Sequence, residues 1–560
     1  MKPLGSFHAA TLRLRPENLG TAVLFLISLA ASLAYLRLGL ARVFYPYALD
    51  FIEEDMVMQA WRVAQNLPVF VPPNAEFVPQ VYMPLFTWLG GQLMRLTGFA
   101  FWPLRLISFL STVGTAVLIF YIGWWECGNK TAAFTGAALF LAGYRLVGGW
   151  YDLARVDGLF TFLSLAGLVL LVYRRKSATQ SYAEAAQRFT KIRFVFAAIL
   201  LALAFLTKQN GLLLAAVAAF YFFTAESAEV VEYNKKSASS AFIRVLFFFA
   251  IPFALVAFVP ILVVAEVSGG WFSYYVVTIA YASPLDLGRL RNIFLWELGA
   301  GMGVLLTMML LLVLPQLVVF FKKLEIGDWR LSLSTLQFLI SNNPWLLFVG
   351  TAVFISVAGR TTVGGNLNNM LIGYAFLCLL PALSLSRRHE STFDTGMDIR
   401  PRGYDPKQWL WLGAMLVQFG LVLLPLNDGL PRQFVPTAEM RAAGDALLAR
   451  VAQEPGEVWL LLHPSYAVRA GKRPYVHLQS LWHARQRGTD PLPDELVRLI
   501  EQQQFVQIIS DESDFFETET AFLDLLLAHY EVAETLPPSQ SPPTLSGPIV
   551  RPLTVYVPRR

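Results

Sequence analysis

The chain carries VYMPLFTWLGGQLMRLTG at residues 81–98, an apolar run led by a proline and divided by two glycines. If 82–97 crosses a membrane, every later segment changes side. If it lies in the interface, the sides stay as they are. The distribution of Lys and Arg separates the two readings, because these residues collect in cytoplasmic loops. With 82–97 interfacial, segments 1–18, 126–131, 174–193, 225–244, 322–341 and 386–407 share one face and hold 21 Lys and Arg residues. The opposite loops and their borders hold 10, although two of them are long. The loop RRKSATQSYAEAAQRFTKIR (174–193) alone carries six. Making 82–97 a span destroys this bias. The expected topology therefore has a cytoplasmic N-terminus, with everything after residue 426 outside a plasma (inner) membrane.

Eleven apolar segments remain as spans: 19–41, 103–125, 131–148, 158–173, 193–207, 211–224, 242–266, 296–321, 343–358, 369–385 and 408–425. Composition agrees with a mainly α polytopic membrane protein. Of 560 residues, 56% are apolar and only 15% charged, where a soluble domain has about a quarter charged. The net charge of +5 sits in loops, which fits topology rather than nucleic-acid binding. Two cysteines, Cys127 and Cys378, lie in or beside spans. They make no disulfide framework and no zinc-type spacing. The first run is too long for a cleaved signal peptide and lacks a small-residue cleavage site, so it is read as a retained span.

The sequence changes character at about 427. Residues 427–560 alternate helical stretches (438–453, 493–502, 519–528) with apolar strands EVWLLLH (457–463), FVQIIS (505–510) and LTVYV (553–557). This predicts a small extracytoplasmic α/β domain. The expected division is a membrane module, 1–426, with an outer loop 42–102 containing interfacial helices, and a domain at 427–560.

In this topology the polar clusters fall on the outer side. YPYALDFIEEDMVMQAW (45–61) follows the first span and places Asp50, Glu53, Glu54 and Asp55 within six residues. On a helix, Asp50, Glu53 and Glu54 share one face, and like charges near lipid raise a carboxylate pKa toward neutrality. That suits a general base. An acidic helix start, favoured by the macrodipole, explains Glu54 and Asp55 about as well. YDLARVDG (151–158) brings Arg155 and Asp157, the latter also readable as a helix N-cap. LTKQNG (206–211) brings Lys208 and Gln209. Lys208 reads as a cation for an anionic headgroup, or as a snorkelling side chain. The loop 267–295 carries Arg289 and Arg291, and GRTTVGGNLNN (359–369) carries Arg360 with Asn366, Asn368 and Asn369. These are candidates for phosphate or sugar hydroxyls, against a plain outer turn. GAGMG (299–303) lacks the strand-turn-helix setting of a nucleotide site. His463 ends a strand, with no partner visible in the sequence.

Five motifs occur in order: Asp50-Phe51-Ile52-Glu53 after the first span, the amphipathic MVMQAWRVAQNLPVF, Tyr82-Met83-Pro84-Leu85, Ala154-Arg155-Val156-Asp157, and Phe205-Leu206-Thr207-Lys208-Gln209. Together, over about residues 19–425, they resemble the GT-C membrane glycosyltransferases, the group containing protein O-mannosyltransferases and lipid A aminoarabinose transferases. The resemblance implies a polyprenyl-phosphate-linked sugar as donor, and transfer on the outer face to a hydroxyl of a lipid, glycan or protein. It also implies an aspartate base in the first outer loop. Carried over, that base is Asp50 with Glu53 beside it, Asp157 is the acidic position of the second loop, and Lys208 contacts donor phosphate. Many relatives have adjacent Asp-Glu, whereas two residues separate Asp50 from Glu53 here, so Glu53 and Glu54 stay open as bases. The expected substrate-binding set is Glu54, Tyr82, Arg155, Asp157, Lys208, Gln209, Arg289, Arg291, Arg360 and Asn366.

Attack opposite the phosphate predicts inversion. No cofactor is expected. A divalent metal on Asp50, Glu53 and Asp157 stays open, as in a metal-dependent oligosaccharyltransferase. The readings from other classes are a transporter or flippase of a lipid-linked or charged solute, and a membrane-anchored binding protein.

Overall fold

The computed structural model describes residues 16–172, 183–233, 238–325, 344–386, 406–424, 434–511 and 519–560. Most of the basic segments behind the expected sidedness, and the expected boundary at 426/427, lie outside the described residues. The fold is mainly helical. Its first eight helices are α1 (Pro16–Val43), α2 (Phe51–Ala64), α3 (Leu85–Thr97), α4 (Trp102–Cys127), α5 (Lys130–Ala142), α6 (Val156–Val172), α7 (Ala183–Thr207) and α8 (Gly211–Tyr233). Further helical segments follow over Ala238–Val267, Arg289–Glu325, Pro344–Thr361, Leu367–Leu383 and Pro406–Leu423. Each of the eleven expected spans coincides in most of its described length with one of these helices, where backbone groups are satisfied internally, although the one expected over 131–148 ends as α-helix at Ala142. Among the described residues, five helices are long and apolar enough to cross a membrane by length and composition alone: Leu19–Val43, Trp102–Cys127, Ala241–Val267, Arg289–Val318 and Pro344–Thr361.

The segment at 81–98 forms α3, 13 residues long. At 1.5 Å per residue it reaches about 20 Å, short of the ~30 Å hydrocarbon core. One face is buried through Phe86, Gly90 and Met94, while Trp88 and Leu96 are exposed on the other. The two glycines now have a reason. A Cβ on Gly90 would come 2.5 Å from Leu104 of α4, and one on Gly91 would come 2.7 Å from the Ala60 carbonyl of α2. Gly-Gly lets α3 wedge between its neighbours.

The C-terminal region builds a four-stranded sheet from β1 (Glu457–Leu460), β2 (Phe505–Asp511), β3 (Tyr530–Thr535) and β4 (Pro552–Pro558), in the order β1-β2-β4-β3. β1 and β2 are parallel, and the other two pairings are antiparallel. The expected helix at 438–453 is observed as Ala438–Gln453, capped by Thr437 Oγ1 accepting from the Met440 N–H. β3 was not expected. Its residues YEVAET are exposed after Tyr530, so the edge strand lacks the apolar alternation that marks a half-buried one.

This domain does not stand apart. Tyr47 stacks on Tyr466 with ring centroids 5.3 Å apart and donates to Asp445 at 2.5 Å. Val476 N–H bonds the Ala75 carbonyl. Tyr45, Tyr47, Leu49, Trp150 and Leu153 share one apolar cluster with Val458, Ile509 and Val555. The sheet therefore rests on the loops at the end of the bundle where the polar clusters meet.

Candidate active site

Asp50 occupies the N-cap position of α2 with extended backbone, yet its carboxylate does not cap the helix. It turns to the second outer loop, where Arg155 Nη1 donates to Oδ2 at 3.2 Å. Arg155 Nη2 donates to the Tyr82 hydroxyl at 3.2 Å. The Trp150 and Tyr82 rings flank the guanidinium, their centroids 5.9 Å away. Asp50 is fully buried, and burial is what raises its carboxyl most. Arg155 opposes that and Glu53 adds to it, leaving the pKa at about 6.

A second ion pair lies beside the first. Asp157 accepts from Lys208 Nζ at 2.6 Å and from Asn368 Nδ2 at 3.0 Å, and Lys208 also donates to Asn369 Oδ1 at 3.0 Å. Asp157 is the second residue of α6 and Lys208 follows α7 directly. Helix ends thus place a carboxylate and an ammonium from different hairpins against each other. Gln209 donates to the Val81 and Val276 carbonyls, at 2.6 and 3.2 Å, tying the interfacial segment to the long outer loop.

Glu53 departs from the expectation that it acts with Asp50. Arg105 of α4 grips it through Nε at 2.9 Å and Nη2 at 2.7 Å. The N–H groups of Leu49 and Ala154 donate to the same carboxylate at 2.8 and 2.6 Å. Four charge-assisted bonds saturate its oxygens. Although buried, Glu53 has a lowered pKa, the pull of Arg105 and these donors outweighing desolvation. It is the wrong group for taking a proton. It clamps the residue before Asp50 to the residue before Arg155.

Glu54 and Asp55 face the C-terminal domain, so Glu54 does not join a substrate site. Glu54 accepts from the Ser465 N–H at 3.0 Å and its hydroxyl at 2.9 Å, with His463 Nδ1 3.5 Å away. His463 Nε2 lies 2.7 Å from Asp511 Oδ1. Asp55 accepts from Ser480 Oγ and from Gln80 Nε2 at 2.8 Å, with His477 Nδ1 at 3.3 Å. His463, which has no visible partner in the sequence, thus bridges two carboxylates.

Arg360 and Asn366 are also corrected. Arg360 Nε lies 3.0 Å from both Glu297 oxygens, and Nη1 donates to the Gly365 carbonyl at 2.7 Å. Asn366 caps the following 3-10 helix through the Leu367 N–H. Arg289 pairs with Asp286 at 3.2 Å, and Arg291 is exposed at the outer end of its helix. None of these four joins Asp50 in hydrogen-bond contact. Asn368 and Asn369, candidates from the same turn as Asn366, do join the site, and Trp150 beside Arg155 was not expected. Among the described residues, no group of three or more His, Cys, Asp or Glu is placed to hold a metal ion. Asp50, Glu53 and Asp157 are each committed to a different cation, so they do not fit the divalent ion considered for them.

No protein-family model matches the sequence, and no curated protein matches it. Solved structures do. ArnT from Cupriavidus metallidurans in the apo state superposes with a TM-score of 0.53 at 13% identity, covering 96% of this chain and 98% of that one. The chain has the fold of ArnT. ArnT bound to undecaprenyl phosphate gives 0.51 at 13% identity, covering 95% and 97%. The Archaeoglobus fulgidus oligosaccharyltransferase in the apo form gives 0.48 at 13% identity, covering 90% of this chain and 72% of that one. The fold assignment rests on the first two. In this fold the loops carrying Asp50, Arg155, Asp157 and Lys208 lie together at one end of the helical bundle, against the C-terminal domain.

Proposed function

We propose that this protein is an integral-membrane glycosyltransferase that moves a sugar from a polyprenyl-phosphate donor to an acceptor hydroxyl on the outer face. The observation that carries the reading is the juxtaposition of two unlike ion pairs, Asp50–Arg155 and Asp157–Lys208, at one end of the bundle. A structure of the same fold holds undecaprenyl phosphate. In a lipid-linked sugar phosphate the leaving group is already present, and it needs cations where charge develops. Lys208 and Arg155 supply them, exchanging part of their hold on Asp157 and Asp50 for phosphate oxygens. The acceptor oxygen bonds the anomeric carbon as the carbon–phosphate oxygen bond breaks, and the acceptor proton goes to Asp50. Polyprenyl phosphate leaves with the negative charge, and the anomeric centre is inverted. A carboxyl with pKa about 6 is ionised at neutral pH, yet basic enough to take that proton.

The test is release of polyprenyl phosphate. Protein in lipid nanodiscs is offered a panel of polyprenyl-phosphate sugars with lipid, glycan and peptide hydroxyl acceptors. Acceptor-dependent release from at least one donor is expected. Folded protein that binds and turns over no member of the panel contradicts the reading.

A further inference from the structure

Asp50 is fully buried, while Tyr82, joined to it through Arg155, keeps part of its surface open. Part of its cover comes from the C-terminal domain. The connection from β3 to β4 includes SPPTLSGPIV, residues 541–550. It crosses directly over the start of α2. Leu545 and Ser546 both donate their N–H to the Leu49 carbonyl at 2.9 Å. Arg42 Nη2 donates to Ser546 Oγ at 2.8 Å, and that hydroxyl donates to the Gly149 carbonyl at 3.4 Å. Gly547 has φ +65°, and a Cβ there would stand 2.5 Å from Trp150 Cζ2 and 3.0 Å from Asp50 Oδ1. Only glycine permits so close an approach in this backbone conformation.

We infer that residues 544–548 form a strap that keeps water from Asp50 and lifts to admit the acceptor hydroxyl. The inference rests on Asp50 being the base. Two covers could yield, and they differ in cost. Moving Arg155 aside leaves a buried carboxylate without its cation, which is strongly unfavourable. Lifting the strap frees two backbone N–H groups, the Ser546 hydroxyl and one Arg42 donor, and takes Leu545 off its apolar cluster, but Arg42 keeps Asp152 as its partner and water satisfies the freed polar groups. Pro542, Pro543 and Pro548 stiffen the flanks, leaving Gly547 as the flexible point. The strap also answers a chemical need. Water is itself a hydroxyl acceptor, and with Asp50 uncovered its oxygen bonds the anomeric carbon, its proton goes to Asp50, and free sugar and polyprenyl phosphate are released.

The experiment weakens the strap with Ser546→Ala and Leu545→Pro together, and measures donor hydrolysis without acceptor. At least a tenfold rise over wild type is expected, abolished when Asp50→Asn is added, with faster amide hydrogen exchange over 544–547. Faster exchange with hydrolysis at the wild-type rate overturns the strap. So does full transfer by a Leu49→Cys/Leu545→Cys protein whose strap is shut by a disulfide. A wild type that transfers no sugar defeats the glycosyltransferase reading itself, and the strap's role with it, a result distinct from the other two.

Discussion

Replacing Arg105 by Met leaves Glu53 ionised, buried and without the guanidinium that grips it. Breaking a buried pair by removing one partner costs about 3–5 kcal/mol, and here both side chains are fully buried. Arg105→Met should therefore lower the unfolding free energy by that amount, and Glu53→Gln, which leaves the buried guanidinium without its counter-ion and turns an amide N–H2 toward N–H donors, should be comparably costly. Denaturant titration in detergent checks both. Unfolding of Arg105→Met at the wild-type midpoint would remove the clamp from the account. At this scale the sequence was legible where a charge stood out against apolar neighbours. Asp50, Arg155, Asp157 and Lys208, which the structure pairs, stood out that way, and Arg105, three residues into an apolar run, carried the same signal. Arg360 and Asn366 were misread because their partners are not local facts. Glu297 lies 63 residues from Arg360, and a cap cannot be told from a ligand until the following turn is seen.

Helix α2 works through two faces. Asp50 and Glu53 look toward the membrane module, whereas Glu54 and Asp55 hold the C-terminal domain. The second face has its own pH response. His463 stands between Glu54 and Asp511, and although burial lowers its pKa, the two carboxylates win and bring it to about 10. Burial raises Asp55 to about 8, with Glu54 adding to the rise while Ser480, Gln80 and Arg155 oppose it. Burial lowers His477 to about 4, with Glu54 and Asp511 opposing and His463 adding. The signs follow from linkage. His463 stabilises docking fully below its ordinary 6.5, and that stability is lost as pH rises through about 10. Asp55 contributes fully below 3.8 and loses its contribution as pH rises through about 8. His477 acts oppositely, its contribution present above 6.5 and lost as pH falls through about 4. Between 4 and 6.5 Asp55 and His477 offset each other. Above that, Asp55 and His463 act together, so this interface should loosen from about pH 6.5 toward 10. Hydrogen exchange in β1 should report the loosening, and Asp55→Asn, which cannot ionise, should flatten it. An Asp55→Asn profile identical to wild type would show that Asp55 is not the titrating group. Elements with strong periodicity, from α1 to the helix at Ala438–Gln453, were readable from sequence. β3 was not, because an exposed acidic edge strand carries little pattern, and α2's division of labour depends on a domain some four hundred residues away.

For the whole molecule, hydropathy marked most of the long helices, and charge bias led 82–97 to be read as interfacial, where α3 is too short to span. Neither showed that the C-terminal sheet would pack on the loops at the end of the bundle and seal their carboxylate, since that contact joins residues 49 and 545. The assembled molecule puts its ion pairs at the ends of helices rather than at mid-bundle, an arrangement that suits chemistry at a surface more than passage through the membrane. In the proposed reaction Asp50 takes the acceptor's proton. The deciding measurement is the pH dependence of kcat/KM for sugar transfer in nanodiscs, with wild type and Asp50→Asn side by side and donor affinity measured for each. The wild-type rate should rise through about pH 6, where Asp50 ionises. Asp50→Asn should be slower by about 10²–10⁴-fold, with donor still bound. Transfer by Asp50→Asn at the wild-type rate, with the same rise through pH 6, would rule Asp50 out as the base.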